Sequence, residues 1–448
     1  MIKTRFAPSP TGLLHLGNLY VAFISWLHAR RNNGVFIVRI DDTDKNRSRG
    51  SFDRHILEDL RWVGLDWDQC LYQSGRLQTY RISVQELVRS QRIYPCYETE
   101  EELIIKKNEL IKRGLPPIYD RASLRLSINE KEKLKSIGVK PYWRFKLKEK
   151  LISWKDQVRG IITFDSRKLN DPVVIRSNGI LTYNLASVID DIHCNVTDII
   201  RGEDHISNSA IHMQIFEALY AKIPRFTHIS LIKNNNIKFS KRSASGSMYN
   251  LKQNNILPAT VLNYFFKKAF SYPLSILYNR KSFIQQFSLK NITRAPILYE
   301  EKELLVLNKK IFQIMTFKRI AQFLMLNNKN VITENFWLCM KNNLQVLQEV
   351  SGWWDICNKN VITKVNNLVL CNVALMTMPS GQLDVFLSNK WLENIKKYIC
   401  NKKQKFFSAL RLVITGRKNG PELTNILPHI NKSLLYERLS NQKINNNQ

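Results

Sequence analysis

Between Thr4 and Gly64 the sequence twice runs a short extended segment into a helical one. Thr4–Ala7 reads as a strand entering a loop, because Pro8 and Pro10 fix φ and push Ala7 and Ser9 toward extended backbone. From there the apolar residues Leu16, Leu19, Phe23, Trp26 and Leu27 fall at helical spacing, and Asn33-Gly34 ends the run. VFIVRI (35–40) is an unbroken apolar stretch bounded by DDTD, the pattern of a buried strand, and a second helix runs through Phe52, Ile56 and Leu60 to Gly64. Strand, helix, strand and helix in that order argue for an α/β fold with a doubly wound, Rossmann-type parallel sheet.

Past residue 92 the character changes. Residues 93–180 mix charge runs (Glu98–Glu102, Lys131–Lys135, Lys146–Lys150) with short strand-like pieces and read as an inserted α+β subdomain. The α/β pattern returns in GILTYNLASVIDDIHCNVTDIIRGEDH, where Val196–Ile200 is expected as a strand ending at Arg201. After about 245 the chain reads as helical, with long amphipathic segments through 311–448 and a polar, frayed tail.

Two stretches carry chemistry. RFAPSPTGLLHLGN (5–18) places a cation, a rigid bent loop and His15-x-Gly17 at the mouth of the first helix, outside the carboxyl end of the first strand, where open α/β sheets bind ligands. Backbone N–H groups there attract phosphate, Gly17 removes bulk where a nucleotide ring approaches, and His15 can donate to phosphate oxygens as a pentavalent transition state develops. The plainer reading of His15 is a helix cap. KFSKR (238–242) sets three cations around Ser240; Lys238 and Lys241 could flank a triphosphate and neutralise a departing pyrophosphate, or form a solvated basic turn.

Charge bears on the partner. Lys and Arg number 68 against 37 Asp and Glu, a net charge of +31, which favours a polyanion such as RNA over an acidic membrane, with biased codon usage supplying part of the excess. Seven cysteines without a C-x-x-C pair argue against a disulfide framework or a four-cysteine metal knuckle. The opening MIKTRFAPSP has no apolar core of a signal peptide, and no uninterrupted apolar run is long enough to span a bilayer. A reduced, cytoplasmic protein is expected.

Taken together these stretches resemble a known family. RFAPSPTGLLHLGN is similar to the HIGH signature, and KFSKR to the KMSKS signature, of class I aminoacyl-tRNA synthetases of the bacterial glutamyl type. RIDDTD, GLDWD, QSGRLQTY, TYNLASVIDDI and VTDIIRGEDH follow that family in order, and TGRKNGPEL (415–423) resembles part of its anticodon-binding region. The resemblance implies a glutamate–tRNA ligase that forms glutamyl-adenylate from L-glutamate and ATP and passes the glutamyl group to the 3'-terminal adenosine of tRNA. It implies catalytic roles for His15, Lys238 and Lys241, and ATP contacts from Thr11, His15, Gly17, Asp204, Lys238, Ser240 and Lys241. Glutamate would meet Arg5, Ala7, Ser9, Asp41, Tyr183 and Arg201. The substrate's own carboxylate attacks the α-phosphorus, so no protein nucleophile is needed. Mg2+ would accompany the ATP. The implied division is 1–92 and 181–242 as the two catalytic halves, 93–180 as an acceptor-binding insert, 243–310 as a helical stem-contact region and 311–448 as a helical anticodon-binding region. A monomer without an obligate protein partner or membrane association is expected.

The chain departs from the family in places. Asp41 stands where the family carries Glu, Asn18 where the signature's last His would be, and Asn184 where a His is usual. Cys96 is followed by Glu98 rather than a second thiol, and YDRASLR offers none, so no structural zinc is expected. Arg201 could instead pair with Glu203 or Asp204, and Asp190 and Asp191 are expected to cap a helix or position the next strand. Alternatives are a tRNA(Gln)-directed or non-discriminating enzyme, a base-modifying paralogue, and an inactive RNA-binding paralogue.

Overall fold

The computed structural model describes residues 1–43, 51–234, 237–238, 246–270, 275–277, 279–326, 332–361, 368–399 and 403–441. They form two compact units, Met1–Leu251 with Val261–Glu300, and Lys252–Thr260 with Glu301–Gln448.

The first unit opens as β1 (Lys3–Phe6), α1 (Leu16–Arg31), β2 (Val35–Ile40), α2 (Phe52–Trp62) and β3 (Gln69–Tyr72). The three strands are parallel, in the order β1-β2-β3, with Arg5 opposite Ile37 and Ile40 opposite Tyr72. The helical spacing in α1 was legible, but its burial extends further. Tyr20 and Ile24 are as buried as Leu19, Phe23 and Trp26, so the middle of α1, residues 22–29, is enclosed on all sides. The buried indole of Trp26 donates from Nε1 to the Asp66 carboxylate (2.7 Å).

After α3 (Leu77–Arg89) come β4 (Ile93–Cys96), α4 (Glu100–Lys112), α5 (Ile128–Ser136), β5 (Tyr142–Phe145), β6 (Leu151–Asp156), β7 (Gly160–Asp165) and β8 (Val173–Ile175). β4, β5 and β8 make an antiparallel sheet, and β6 and β7 a separate hairpin. Thr99 with Glu102, and Ser127 with Glu130, close reciprocal capping boxes on α4 and α5.

The parallel theme returns with α6 (Tyr183–His193), β9 (Asp198–Gly202), α7 (Ile206–Ala218) and β10 (Arg225–Ile229), β9 and β10 being parallel neighbours. β9 starts two residues later than expected. Val196 N–H bonds back to Asp191 O and Asn195 takes a left-handed φ of 54°, so these residues terminate α6 instead of beginning the strand. Thr197 ties the two ladders together: its N–H donates to Lys3 O (2.9 Å) and its hydroxyl accepts from Lys3 N–H (2.8 Å). β1 and β9 are thus the central pair, and the crevice beyond their carboxyl ends is the switch point of the fold.

The described part of the second unit from Glu301 onward is helical, with Trp337, Trp391, Leu410 and Leu435 fully buried. Phe336 and Trp353 are core residues, and Trp354 meets the Phe336 ring edge-on. Among the described residues no helix is long and apolar enough to cross a membrane.

Candidate active site

The carboxyl ends of β1, β2 and β9 deliver Arg5, Asp41 and Arg201 to one place. Arg5 is buried, and its Nε donates to both oxygens of Asp191 (3.1 and 3.3 Å) while Nη1 reaches Ile200 O (3.4 Å). Arg39, also buried, donates to Asp191 through Nη1 (2.7 Å) and grips Asp41 two-handed, Nε to Oδ1 at 2.7 Å and Nη2 to Oδ2 at 3.3 Å. Asp190 points the other way, accepting from Gln73 (2.8 Å), Arg76 (2.5 Å) and Tyr80 (2.8 Å).

Of the two structural roles expected for Asp190 and Asp191, the helix cap fails. They lie in the last turns of α6, where a carboxylate cannot cap, and they are fully buried hubs for arginines from β1, β2 and the segment after β3. Burial pushes the Asp41 carboxyl up to about 6, with Arg39 pulling it down and Asp190 and Asp191 adding to the rise.

Arg201 differs from the other arginines. Its Nη1 donates to Tyr183 Oη (3.2 Å) and to His212 Nδ1 (3.4 Å), its Nη2 donates to Ser209 Oγ (2.5 Å), and its plane lies over the Phe226 ring at 5.3 Å. The expected alternative partners are engaged elsewhere or too far. Glu203 pairs with Arg159 (2.5 Å), and Asp204, exposed, lies 3.9 Å from His205. Among the described residues Arg201 has no carboxylate within ion-pair distance, and its buried Nε has no partner at all. Burial, then the nearby Arg5, lower its affinity for its proton. Around this corner four guanidiniums (Arg5, Arg39, Arg76, Arg201) face three carboxylates (Asp41, Asp190, Asp191). One positive charge is left over, and it sits on a side chain 5% exposed.

Asn184 finds a structural role: His212 Nε2 meets its side-chain oxygen at 3.1 Å. Burial and Arg201 hold His212 well below the usual imidazole range, so it is neutral and accepts from Arg201. Tyr183, at the first position of α6, is partly exposed and turns its hydroxyl toward Arg201.

The opening loop borders this corner. Asp41 N–H donates to Pro8 O (3.0 Å), Ala7 is half-buried, and Ser9 and Thr11 are exposed. His15 is the N-cap of α1, its Nδ1 accepting from Asn18 N–H (3.3 Å). The cap reading therefore holds. It fixes the ring by one nitrogen, and the ring packs over Gly17, where a Cβ would stand 3.1 Å from two imidazole atoms. Leu16 N–H bonds Gly246 O (3.0 Å) and Met248 N–H bonds Leu14 O (3.0 Å), so the chain returning from the second basic motif is pinned to the His15 loop. Lys238 ends a two-residue strand, Ile237–Lys238; Ser240 and Lys241 lie outside the described residues.

Ser209, His212 and His228 were not picked out from sequence. Ser209 and His212 are spaced i, i+3 on α7, hence on one face, eight and eleven residues past Arg201, which is the one signal that could have found them.

The chain is similar to known proteins over nearly its whole length. The family model "tRNA synthetases class I (E and Q), catalytic domain" matches residues 1–306. Glutamate–tRNA ligase 2 of Rickettsia canadensis is 41% identical over 98% of this chain and 99% of its own length. Glutamate–tRNA ligase 1 of the Wolbachia endosymbiont of Brugia malayi is 39% identical over 97% of this chain and 99% of its own. A crystal structure of an Elizabethkingia meningosepticum glutamate tRNA ligase, 24% identical, shares the fold with a TM-score of 0.84 over 98% of this chain and 99% of that one.

Proposed function

Because the chain belongs to the class I glutamyl-tRNA synthetases, ATP-dependent glutamate–tRNA ligases, we propose that Arg201, unpaired at the switch point, is the seat of the substrate's side-chain carboxylate. The single observation that carries this is a buried guanidinium whose hydrogen-bond partners among the described residues are all neutral, with an aromatic face beside it. A buried cation without a counter-ion is costly, and an incoming carboxylate removes the cost. Glutamine's amide would turn donor hydrogens toward donor hydrogens, so the same arrangement discriminates against it.

The remaining roles are those that the family resemblance implies. Arg5 and Tyr183 flank Arg201, and Ala7 and Ser9 supply loop contacts to glutamate. Asp41 receives the α-ammonium: Arg39 takes one bond on each of its oxygens, and a carboxylate accepts about four. His15, Thr11, Gly17 and Asp204 bind ATP, and Lys238, Ser240 and Lys241 are assigned to its phosphates. Glutamate's α-carboxylate attacks the α-phosphorus, and the work of the protein is to align the two substrates and stabilise the departing pyrophosphate.

Asp41 gives this reading a pH signature. Its raised value means that the charged form is lost as pH falls through about 6. The glutamate KM should therefore rise about tenfold per unit below 6, while in Asp41→Asn it starts high and stays flat. Steady-state kinetics between pH 5 and 8 will show this, and a flat parent profile would remove Asp41 from the ammonium site.

Mg2+ travels with the triphosphate in this reading. Among the described residues no three His, Cys, Asp or Glu side chains gather where a metal could sit. The insert's cysteine is likewise occupied: Glu98 accepts from Tyr119 Oη (2.7 Å) and Ser123 Oγ (2.8 Å), and Tyr119 Oη also reaches Cys96 Sγ at 3.7 Å. These hydrogen bonds support the reading that the insert holds no structural zinc. We further assign 1–92 and 181–242 to catalysis, 93–180 to the acceptor end, 243–310 to the stem and 311–448 to the anticodon, in a cytoplasmic monomer acting on tRNA(Glu). The decisive experiment charges purified tRNA(Glu) and tRNA(Gln) transcripts with labelled glutamate, using enzyme stripped with a chelator and resupplied with magnesium. Full activity on tRNA(Glu) is expected. Equal charging of tRNA(Gln) overturns the choice of tRNA, and a loss that zinc restores overturns the zinc-free reading.

A further inference from the structure

Behind Arg201 lies a second set of contacts that the reaction as described does not use. Ser209 Oγ is 2.7 Å from His228 Nε2, and His228 Nδ1 is 2.6 Å from Asp156 Oδ2. The order Asp, His, Ser is that of a hydrolase triad, yet this serine cannot be a nucleophile. It is fully buried, and its oxygen already accepts from Arg201 Nη2 at 2.5 Å.

The proton positions are set by the ends of the chain. Asp156 can only accept, and four donors surround it: Val158 N–H (3.0 Å) and Arg159 N–H (2.9 Å) on Oδ1, His228 N–H (3.1 Å) and His228 Nδ1–H (2.6 Å) on Oδ2. Nδ1 therefore carries the proton, Nε2 accepts from the Ser209 hydroxyl, and Ser209 accepts from Arg201. Every bond points from Arg201 toward Asp156. The titration behaviour agrees. Burial would raise Asp156, but His228 and the two backbone N–H groups hold it below the usual carboxylate range. Burial, with a contribution from Arg201, lowers His228 in spite of Asp156, so the ring is neutral.

We infer that Asp156, His228 and Ser209 are positioning residues for substrate selection: together they lock one edge of the Arg201 guanidinium, so that the rest of it stays aimed at the acidic side chain without being neutralised. A carboxylate placed directly on Arg201 would hold it as well but would cancel the charge that the substrate needs. A neutral hydroxyl backed by a distant anion orients it and leaves the charge in place. The anion comes from the turn of the β6–β7 hairpin, so an element of the insert shapes the amino-acid pocket.

This inference rests on the reading of Arg201 as the carboxylate seat, and the experiment separates the two. Ser209→Ala, Asp156→Asn and Arg201→Ala are made singly, together with Ser209→Ala in the Arg201→Ala background. Steady-state charging gives KM for glutamate and for ATP, and the glutamate-to-glutamine preference. Ser209→Ala, which removes one buried oxygen, is the milder change and carries the test if Asp156→Asn folds poorly; melting temperatures identify that case. Each relay variant should raise the glutamate KM about tenfold, leave the ATP KM within about twofold and weaken the preference for glutamate, and the Ser209 effect should vanish once Arg201 is gone. A merely structural role would lower kcat for both substrates alike. If Arg201→Ala raises the glutamate KM and Ser209→Ala does not, or if the two losses multiply in the double variant, the relay is wrong and the reading of Arg201 stands. If Arg201→Ala leaves the glutamate KM unchanged, both fall.

Discussion

Arg201→Ala should lose roughly 1.5–3 kcal/mol or more in the use of glutamate, the scale of a charge-assisted hydrogen bond. This corresponds to about a 10- to 150-fold drop in kcat/KM at 1.36 kcal/mol per tenfold. Stability should not follow activity. Among the described residues Arg201 has no counter-ion and its buried Nε no partner, so in the free protein it is a cost that a bound carboxylate removes. Arg201→Met, which keeps much of the volume, should therefore melt at or above the parent temperature while charging poorly. Kinetics and thermal melting of the same preparation check both halves. Unchanged glutamate kinetics would sink the assignment. A large fall in melting temperature for the methionine variant would show that Arg201 is a structural cation with its charge satisfied.

Asp191→Ala should do the opposite. Asp191 is 1% exposed and accepts from Arg5 at 3.1 and 3.3 Å and from Arg39 at 2.7 Å. Removing it leaves buried Arg5 without a carboxylate and Arg39 with Asp41 and, at 3.7 Å, Asp190, and breaking a buried pair in this way costs about 3–5 kcal/mol. For a cooperative unit of about 290 residues that is a fall of roughly 5–8 °C in Tm. Activity should drop too, because Arg39 also holds Asp41, but the melting curve is the diagnostic readout. A shift under about 2 °C would mean that the arginines find other partners, and that Asp191 is not the hub its contacts make it.

The strands and helices before residue 64 were legible because each is bounded by strong local signals. The prolines at 8 and 10 open the loop, and β2 runs Val35–Ile40 as its apolar run indicated. Arg5, Asp41, Tyr183 and Arg201 could be singled out because motifs locate them, and the fold brings them together. What the sequence hid was burial. DD at 190–191 looks identical whether it faces water or three arginines, and only the packing of α6 against β1 and β2 decides. Asp156, Ser209 and His228 were hidden for a related reason. They come from a hairpin, a helix and a strand separated by tens of residues, and each is of a type common on any surface. Asn184 was visible as a departure from family pattern, yet its partnership with His212 needed coordinates.

The hairpin carboxylate at 156 has a bearing on protein engineering. Residues 93–180, proposed above as the acceptor-end insert, are the cassette that a chimaera between homologues would exchange. But Asp156 travels with that cassette, while the imidazole it holds, His228, remains with the host. A chimaera whose donor hairpin lacks an acidic turn residue would inherit a rotated pocket along with its new insert, and co-transplanting position 228 is the simplest remedy.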